Sequence, residues 1–272
     1  MKYREYRPHP ALSNAVRCYW VFEQSCDGER LERMLPDGHI DWVVHYGAAP
    51  TLIVDGKVIH KSSAFMGGHL LRGVQLRFLG SLRTFGIKLW PWAAPLAYPM
   101  PAAELNHRRV PVADILRSRS PGLEDWLLNE LSAQNVSAVI ARLEPLLAGW
   151  LATPDTRDRV LRGVCQLAMQ AGGWLRVADI ERRSGYSRRY IERVFAEKRG
   201  MSLKYFVRLL RLKGLAPQVA QAAPGKLAEL ALSAGYCDQA HLCRDFAAIA
   251  GVSPTQYQAE RNVYVHQQSP TR

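Results

Sequence analysis

The sequence predicts an α+β chain. A β-rich N-terminal part of barrel or sandwich type precedes a helical linker. An all-α C-terminal part then holds two helix-turn-helix units joined by a long helix. Three observations carry that prediction. Residues 177–206 and 227–257 repeat one pattern: Gly185-Tyr186 answers Gly235-Tyr236, Phe195 answers Phe246, Gly200 answers Gly251 and Ser202 answers Ser253. Short aromatic and β-branched runs with turn residues between them fill residues 1–110, as strands do. The charge is split: residues 1–155 hold 17 Lys+Arg against 15 Asp+Glu, a net of +2, whereas residues 156–272 hold 19 against 9, a net of +10.

Residues 16–22 (VRCYWVF) read as a strand. Pro36-Asp37-Gly38 makes a turn, after which residues 39–46 alternate. Ile40, Trp42, Val44 and Tyr46 share one face; His39, Asp41, Val43 and His45 share the other. Residues 51–60 place Asp55-Gly56 between two apolar runs, the composition of a two-residue hairpin turn. Residues 64–66, 73–78 and 84–89 read as three further short strands.

From Pro99 the pattern turns helical. Residues 123–131 and 136–151 show helical apolar spacing and form a linker expected over 111–153. Pro154-Asp155-Thr156 is the expected boundary of the C-terminal domain, placed at 154–262. A helix follows over 157–170. In the second repeat Leu227, Leu230 and Ala231 share a face, Gly235 breaks the helix where φ > 0 is needed, and Leu242 and Phe246 start a second face. Ser253-Pro254 opens a last helix, Ser as N-cap and Pro at the first helical position. Between the repeats, residues 203–220 read as one connecting helix whose C-terminal half Gly214 and Pro217 weaken. The tail over 263–272 is expected to be disordered.

Composition narrows the function classes. A net charge of +12, concentrated in the duplicated half, points to a polyanion, with nucleic acid ahead of an acidic membrane surface. The five Cys are scattered and form no C-x-x-C, so no zinc cluster or other cofactor is expected. The N-terminus lacks a signal-peptide core and no apolar run approaches the ~18–20 residues that span a bilayer. A cytoplasmic protein without a membrane partner is expected.

The stretch LAELALSAGYCDQAHLCRDF followed by GVSPTQY, with its echo and the connecting helix, resembles the AraC/XylS family of bacterial transcription regulators. The resemblance spans residues 157–261. Gly235, Tyr236, Asp238-Gln239, Leu242, Arg244, Phe246, Gly251, Ser253, Pro254 and Tyr257 fill the family pattern; Gly214 and Pro217 depart from it. PDGHIDWVVHYG and the segment from FGIKLWPW onward are similar to the cupin-like sensor-type domain of one branch of that family.

The resemblance implies that the second helix of each unit enters the major groove of double-stranded DNA. In the first unit Arg189, Glu192 and Arg193 project at i, i+3 and i+4 and are the expected base readers. In the second these are Gln239, Ala240, His241, Cys243 and Arg244. Arg suits guanine, Glu cytosine, Gln adenine, and Ala or Cys a thymine methyl. Ser187, Arg183, Arg188, Arg199 and Lys204 are expected at phosphates, which give affinity without sequence information. For each of these the alternative is a solvated helix face. His39, Asp41 and His45 form a ligand face if they look into a barrel; the alternative is that this polar face meets water.

Two functions stay open. One is a DNA-binding regulator whose N-terminal domain senses a small-molecule effector, forms a homodimer, or both, with RNA polymerase as a partner if it activates. The other is a metal-dependent cupin-type enzyme with an accessory helical DNA-binding domain. No His-x-His is present, which counts against the second.

Overall fold

A computed structural model describes residues 2–260, apart from positions 55, 60–62, 98–100, 107, 113, 115–119, 121 and 224. The tail expected to be disordered lies outside the described residues. The chain is α+β, in the order the sequence predicts: an antiparallel sheet domain first, helices after it.

The sheet is organised on two long strands, β2 (Val16–Met34) and β7 (Val74–Leu89). They pair antiparallel from Val16↔Leu89 to Met34↔Val74, with a register shift between Cys26 and Arg30. Residues 73–78 and 84–89, read from the sequence as two strands, are therefore one. Gly80 at φ +78 lies inside β7 and pairs with Cys26, so the glycine bends a ladder where sequence reading expects a break. β1 (Lys2–Tyr6) lies outside β2; β3 (Ile40–His45), β6 (Ala64–Gly67) and β8 (Arg109–Pro111) continue from β7 on its other side. The hairpin of β4 (Thr51–Val54) and β5 (Lys57–Ile59) branches from the other end of β7, with Val54 paired to Lys57 as the two-residue turn requires.

Two short helices, α1 (Ala94–Ala97) and α2 (Ala102–Leu105), leave the sheet. α3 (Leu123–Ser132) and α4 (Val136–Trp150) then cover the apolar face of β3. Trp42 stacks on Trp150 with ring centroids 6.0 Å apart. Ile40, Val44, Leu123, Leu127 and Leu143 share that core.

α5 (Thr156–Gln170) begins on a capping box between Asp155 and Asp158. The first unit is α6 (Val177–Ser184) and α7 (Arg188–Arg199). α8 (Leu203–Gln221) connects it to the second, α9 (Leu227–Ser233) and α10 (Gln239–Ala250), closed by α11 (Pro254–Ala259). α8 runs through Gly214 and Pro217 as one helix. Pro217 removes its own N–H from the ladder, but the helix continues past it to Gln221.

The core does not stop at the domain boundary. Ile40, Phe85 and Trp92 of the sheet half belong to the same buried cluster as Ile191, Phe195, Phe206 and Leu210 of the helices. Arg33 forms a two-armed ion pair with Glu260 at 2.6 and 2.7 Å. Gly73 donates its N–H to Ile249 O at 2.7 Å, and a Cβ there would overlap Ala250 O. The sheet thus touches both units.

Candidate nucleic-acid interface and sheet cavity

The two units are built on the same caps. Gly185 and Gly235 end α6 and lie just after α9 at φ +74 and +66; Gly200 and Gly251 end α7 and α10 at +61 and +80. Ser202 and Ser253 each accept from the third backbone N–H of the next helix. The N-caps of the second helices are Ser187 and Asp238. The glycine–tyrosine pairs are 50 residues apart and these caps 51 apart, so the extra residue of the second unit is the exposed Cys237. From the caps onward Arg188 matches Gln239, Tyr190 matches His241, and Arg193 matches Arg244.

On α7, Arg189 and Arg193 are exposed and Glu192 is half-buried. The Arg193 guanidinium lies 5.3 Å from the Tyr190 ring. Glu192 turns back: its Oε2 accepts from Leu203 N at 3.3 Å, at the start of α8. On α10, Gln239, Ala240 and Arg244 are exposed, while His241 and Cys243 are half-buried. His241 meets the Tyr236 ring edge-on at 5.1 Å, and burial raises the Cys243 thiol pKa.

Of the expected phosphate residues, Ser187, Arg183, Arg188 and Lys204 are exposed. Arg199, expected at a phosphate, is not on the surface. It is fully buried, donates to Pro91 O at 2.5 Å and Gly38 O at 3.0 Å, and lies over the Phe206 ring. It closes α7 against the sheet domain and cannot reach a phosphate. Burial lowers its pKa to about 10, which still leaves it charged.

A cleft of about 580 Å³ runs between the units. Arg176, Arg188, Lys204, Arg208 and Arg211 line it with His241, and Asp245 is its one acidic member. Arg208 grips Asp245 through two hydrogen bonds at 2.8 and 3.2 Å, tying α8 to α10. Glu181 Oε1 accepts from Arg188 N at 2.9 Å and so supports the first turn of α7. Sequence reading missed Glu181, Asp245 and the Asp238 cap. Only the cap had a local signal, a short acid directly before an apolar-periodic run.

His39, Asp41 and His45 look into a second cavity, of about 100 Å³, on the face of β3 away from α3 and α4. Both imidazoles are buried. His69 joins them, fully buried, from the segment after β6; no sequence pattern links it to β3. Below them Lys88 lies 2.7 Å from Asp37 and 3.6 Å from Asp41, and Asp41 also accepts from Trp20 Nε1 at 2.9 Å. Burial pushes the Asp37 carboxyl up, but Lys88, His39 and Lys213 outweigh it and hold the pKa well below the usual range. Burial lowers His39 to about 4 against the pull of Asp37, and His45 to about 3, with Arg109 adding to the effect. His69 is lowered likewise, by burial and then Arg199. All three rings are neutral near pH 7.

Residues 180–260 match the family described as a helix-turn-helix domain, and residues 4–111 match a domain of unknown function, DUF6597. Solved structures similar to the chain include ToxT from Vibrio cholerae, at 12% identity over 96% of this chain and 99% of that one, TM-score 0.43. An unsaturated fatty acid-bound form of ToxT from the same organism is 14% identical over 88% and 94%, TM-score 0.40. The C-terminal domain of AraT, a response regulator from Geobacillus stearothermophilus, is 20% identical over 43% and 97%, TM-score 0.34. The helix-turn-helix module read from the repeats is borne out. Among the described residues no helix is long and apolar enough to cross a membrane.

Proposed function

We propose that this chain, whose residues 180–260 match a helix-turn-helix domain, is a DNA-binding transcription regulator of the AraC type that reads one duplex with both units and answers to a small molecule held by its sheet domain. One observation carries the reading of DNA. Two second helices, in matched phase from cap to cap, present Arg189, Arg193, Gln239 and Arg244 outward on either side of a cleft lined by five basic side chains. An α-helix fits the major groove, and successive grooves on one face of B-DNA recur about every 34 Å. In this reading the phosphates between the two grooves pass over the cleft, facing Arg176, Arg188 and Lys204. Glu192, held by Leu203 N, supports α8 more than it reads a base.

The response to a ligand would pass through Asp37-Gly38-His39. His39 lines the cavity, Gly38 O accepts from Arg199 on α7, and Asp37 lies 4.0 Å from Lys213 on α8. RNA polymerase, if the chain activates, and a second copy of the chain complete the partners of this reading. The enzyme alternative is not favoured, because the sheet half lacks the His-x-His of a metal-dependent cupin enzyme.

A band-shift titration on promoter-proximal DNA at two salt concentrations tests it. A specific shift that weakens steeply with salt is expected. Binding indifferent to both sequence and salt would sink it.

A further inference from the structure

We infer that the sheet cavity takes an uncharged, ring-sized molecule bearing a hydroxyl, with phenol as its simplest representative. This deepens the ligand-responsive reading above and rests on it.

The walls set the size and the apolar part. Val43, Leu52, Phe65 and Leu76 line a space of about 100 Å³. An all-apolar cavity of about 150 Å³ stays dry and accepts benzene. This one differs in being lined by three buried histidines. His39 Nε2, His45 Nε2 and both ring nitrogens of His69 are buried without a hydrogen-bond partner. Buried polar groups are costly unless paired, so four such nitrogens around one cavity call for a partner inside it.

The neighbours decide what that partner must offer. His39 Nδ1 faces Asp37 O at 3.2 Å and Asp37 Oδ2 at 3.4 Å, both acceptors. Nδ1 therefore carries the proton of the neutral ring, and Nε2 presents a bare lone pair. Whatever meets it must donate. His69, neutral, offers one donor and one acceptor nitrogen with neither engaged. A hydroxyl donates and accepts, and so serves both rings.

The charges decide what the occupant must not carry. Lys88 is matched to Asp37 and Asp41, and Lys213 stands 4.0 Å from Asp37. Two carboxylates and two ammonium groups balance. Arg109 lies over the Phe65 ring at 4.2 Å, and Arg108 is exposed at the rim. Both arginines line the cavity, but Arg109 is already engaged and Arg108 is open to water, so an ionised ligand would lose its hydration without gaining an unengaged buried counter-ion. Among the described residues no group of three or more His, Cys, Asp or Glu is arranged to hold a metal ion.

The test uses the full chain with phenol, benzene, benzoate and benzylamine at equal concentrations, read by thermal shift and calorimetry. Phenol should raise Tm saturably and bind at least tenfold tighter than benzene, with benzoate and benzylamine inert. His39→Leu should reverse the phenol-over-benzene preference; this readout needs only that the variant folds, which retained benzene binding would show. Benzoate or benzylamine binding tighter than phenol, or phenol binding untouched by His39→Leu, would overturn the inference. So would an absence of binding by every probe. Band shifts on the same samples separate the two layers. Phenol binding that leaves DNA affinity unchanged keeps the cavity chemistry and removes the ligand-responsive reading. Specific DNA binding with no phenol binding removes the ligand class alone.

Discussion

Arg193 and Arg244 occupy the same position of their two units, 51 residues apart, and both are exposed. A bidentate arginine contact to guanine is worth about 1–3 kcal/mol of discrimination. Arg193→Ala and Arg244→Ala should each relax base preference by about that much, at separate positions of one site, as measured by competition binding on single-base variants. Lys204→Ala should weaken all sequences alike and lower the salt slope by about 1. Arg199→Met should behave differently from both. It leaves Pro91 O and Gly38 O unpaired at roughly 1–3 kcal/mol each, so Tm should fall while the salt slope stays unchanged. Equal slope losses for Arg199 and Lys204 would restore Arg199 to the phosphates. The histidines add a pH dependence. Their folded pKa values lie below the unfolded value of about 6.5, His39 at about 4 and His45 at about 3. The unfolded chain then binds more protons between pH 6.5 and 4, so stability is full above that window and falls as pH drops through it. The urea midpoint should decline from pH 7 to pH 5, and His45→Gln should flatten the decline.

At the scale of elements, caps and couplings decide how well each unit holds its reading helix. Asp238 caps α10 through a 2.6 Å hydrogen bond to His241 N, and such a cap is worth about 1 kcal/mol. Asp238→Ala should therefore fray α10 first. In a footprint the protection over one half-site should weaken while the other holds; equal loss on both halves would mean that α10 does not read independently. The elements themselves were legible in the sequence because their signals are local. Gly-Tyr pairs, serine caps and apolar faces at i, i+3 and i+4 fixed both units and α8, and the alternation of residues 39–46 placed His39, Asp41 and His45 on one face. What joins elements was not legible. Arg208 and Asp245 lie 37 residues apart, and His69 meets β3 only because β6 pairs with it. Arg199 looked like one more basic residue of a DNA-binding helix. Only the sheet domain packed on the end of α7 turns it inward. The long β7 was missed for the converse reason, since a glycine that normally ends a strand here sits inside one.

For the whole molecule, the turn before β3 joins the cavity to α7 and α8. Gly38 sits at φ +80, and a Cβ there would stand 2.9 Å from the Phe206 ring on α8. Its carbonyl takes Arg199 from α7, while the neighbouring His39 lines the cavity. Gly38 lines the cavity beside His39, and Gly38→Ala strains the backbone by about 1–2 kcal/mol and pushes on Phe206. The other supports, Arg33 on Glu260 and Gly73 on Ile249, remain, so the variant should fold with a lower Tm. Both units bear on the sheet domain, α7 through Arg199 and α10 through Gly73 N to Ile249 O, and loosening that contact should let their relative orientation drift. Affinity for a two-half-site duplex should then fall about tenfold, or about 1.4 kcal/mol, while binding to a duplex with one half-site stays as it was. Band shifts on the two duplexes measure the difference. A lower Tm with unchanged affinity for both would show that the sheet domain only stabilises the reader. A rise in two-site affinity would show that the sheet domain restrains the units from engaging together, with a ligand at His39 acting to release them.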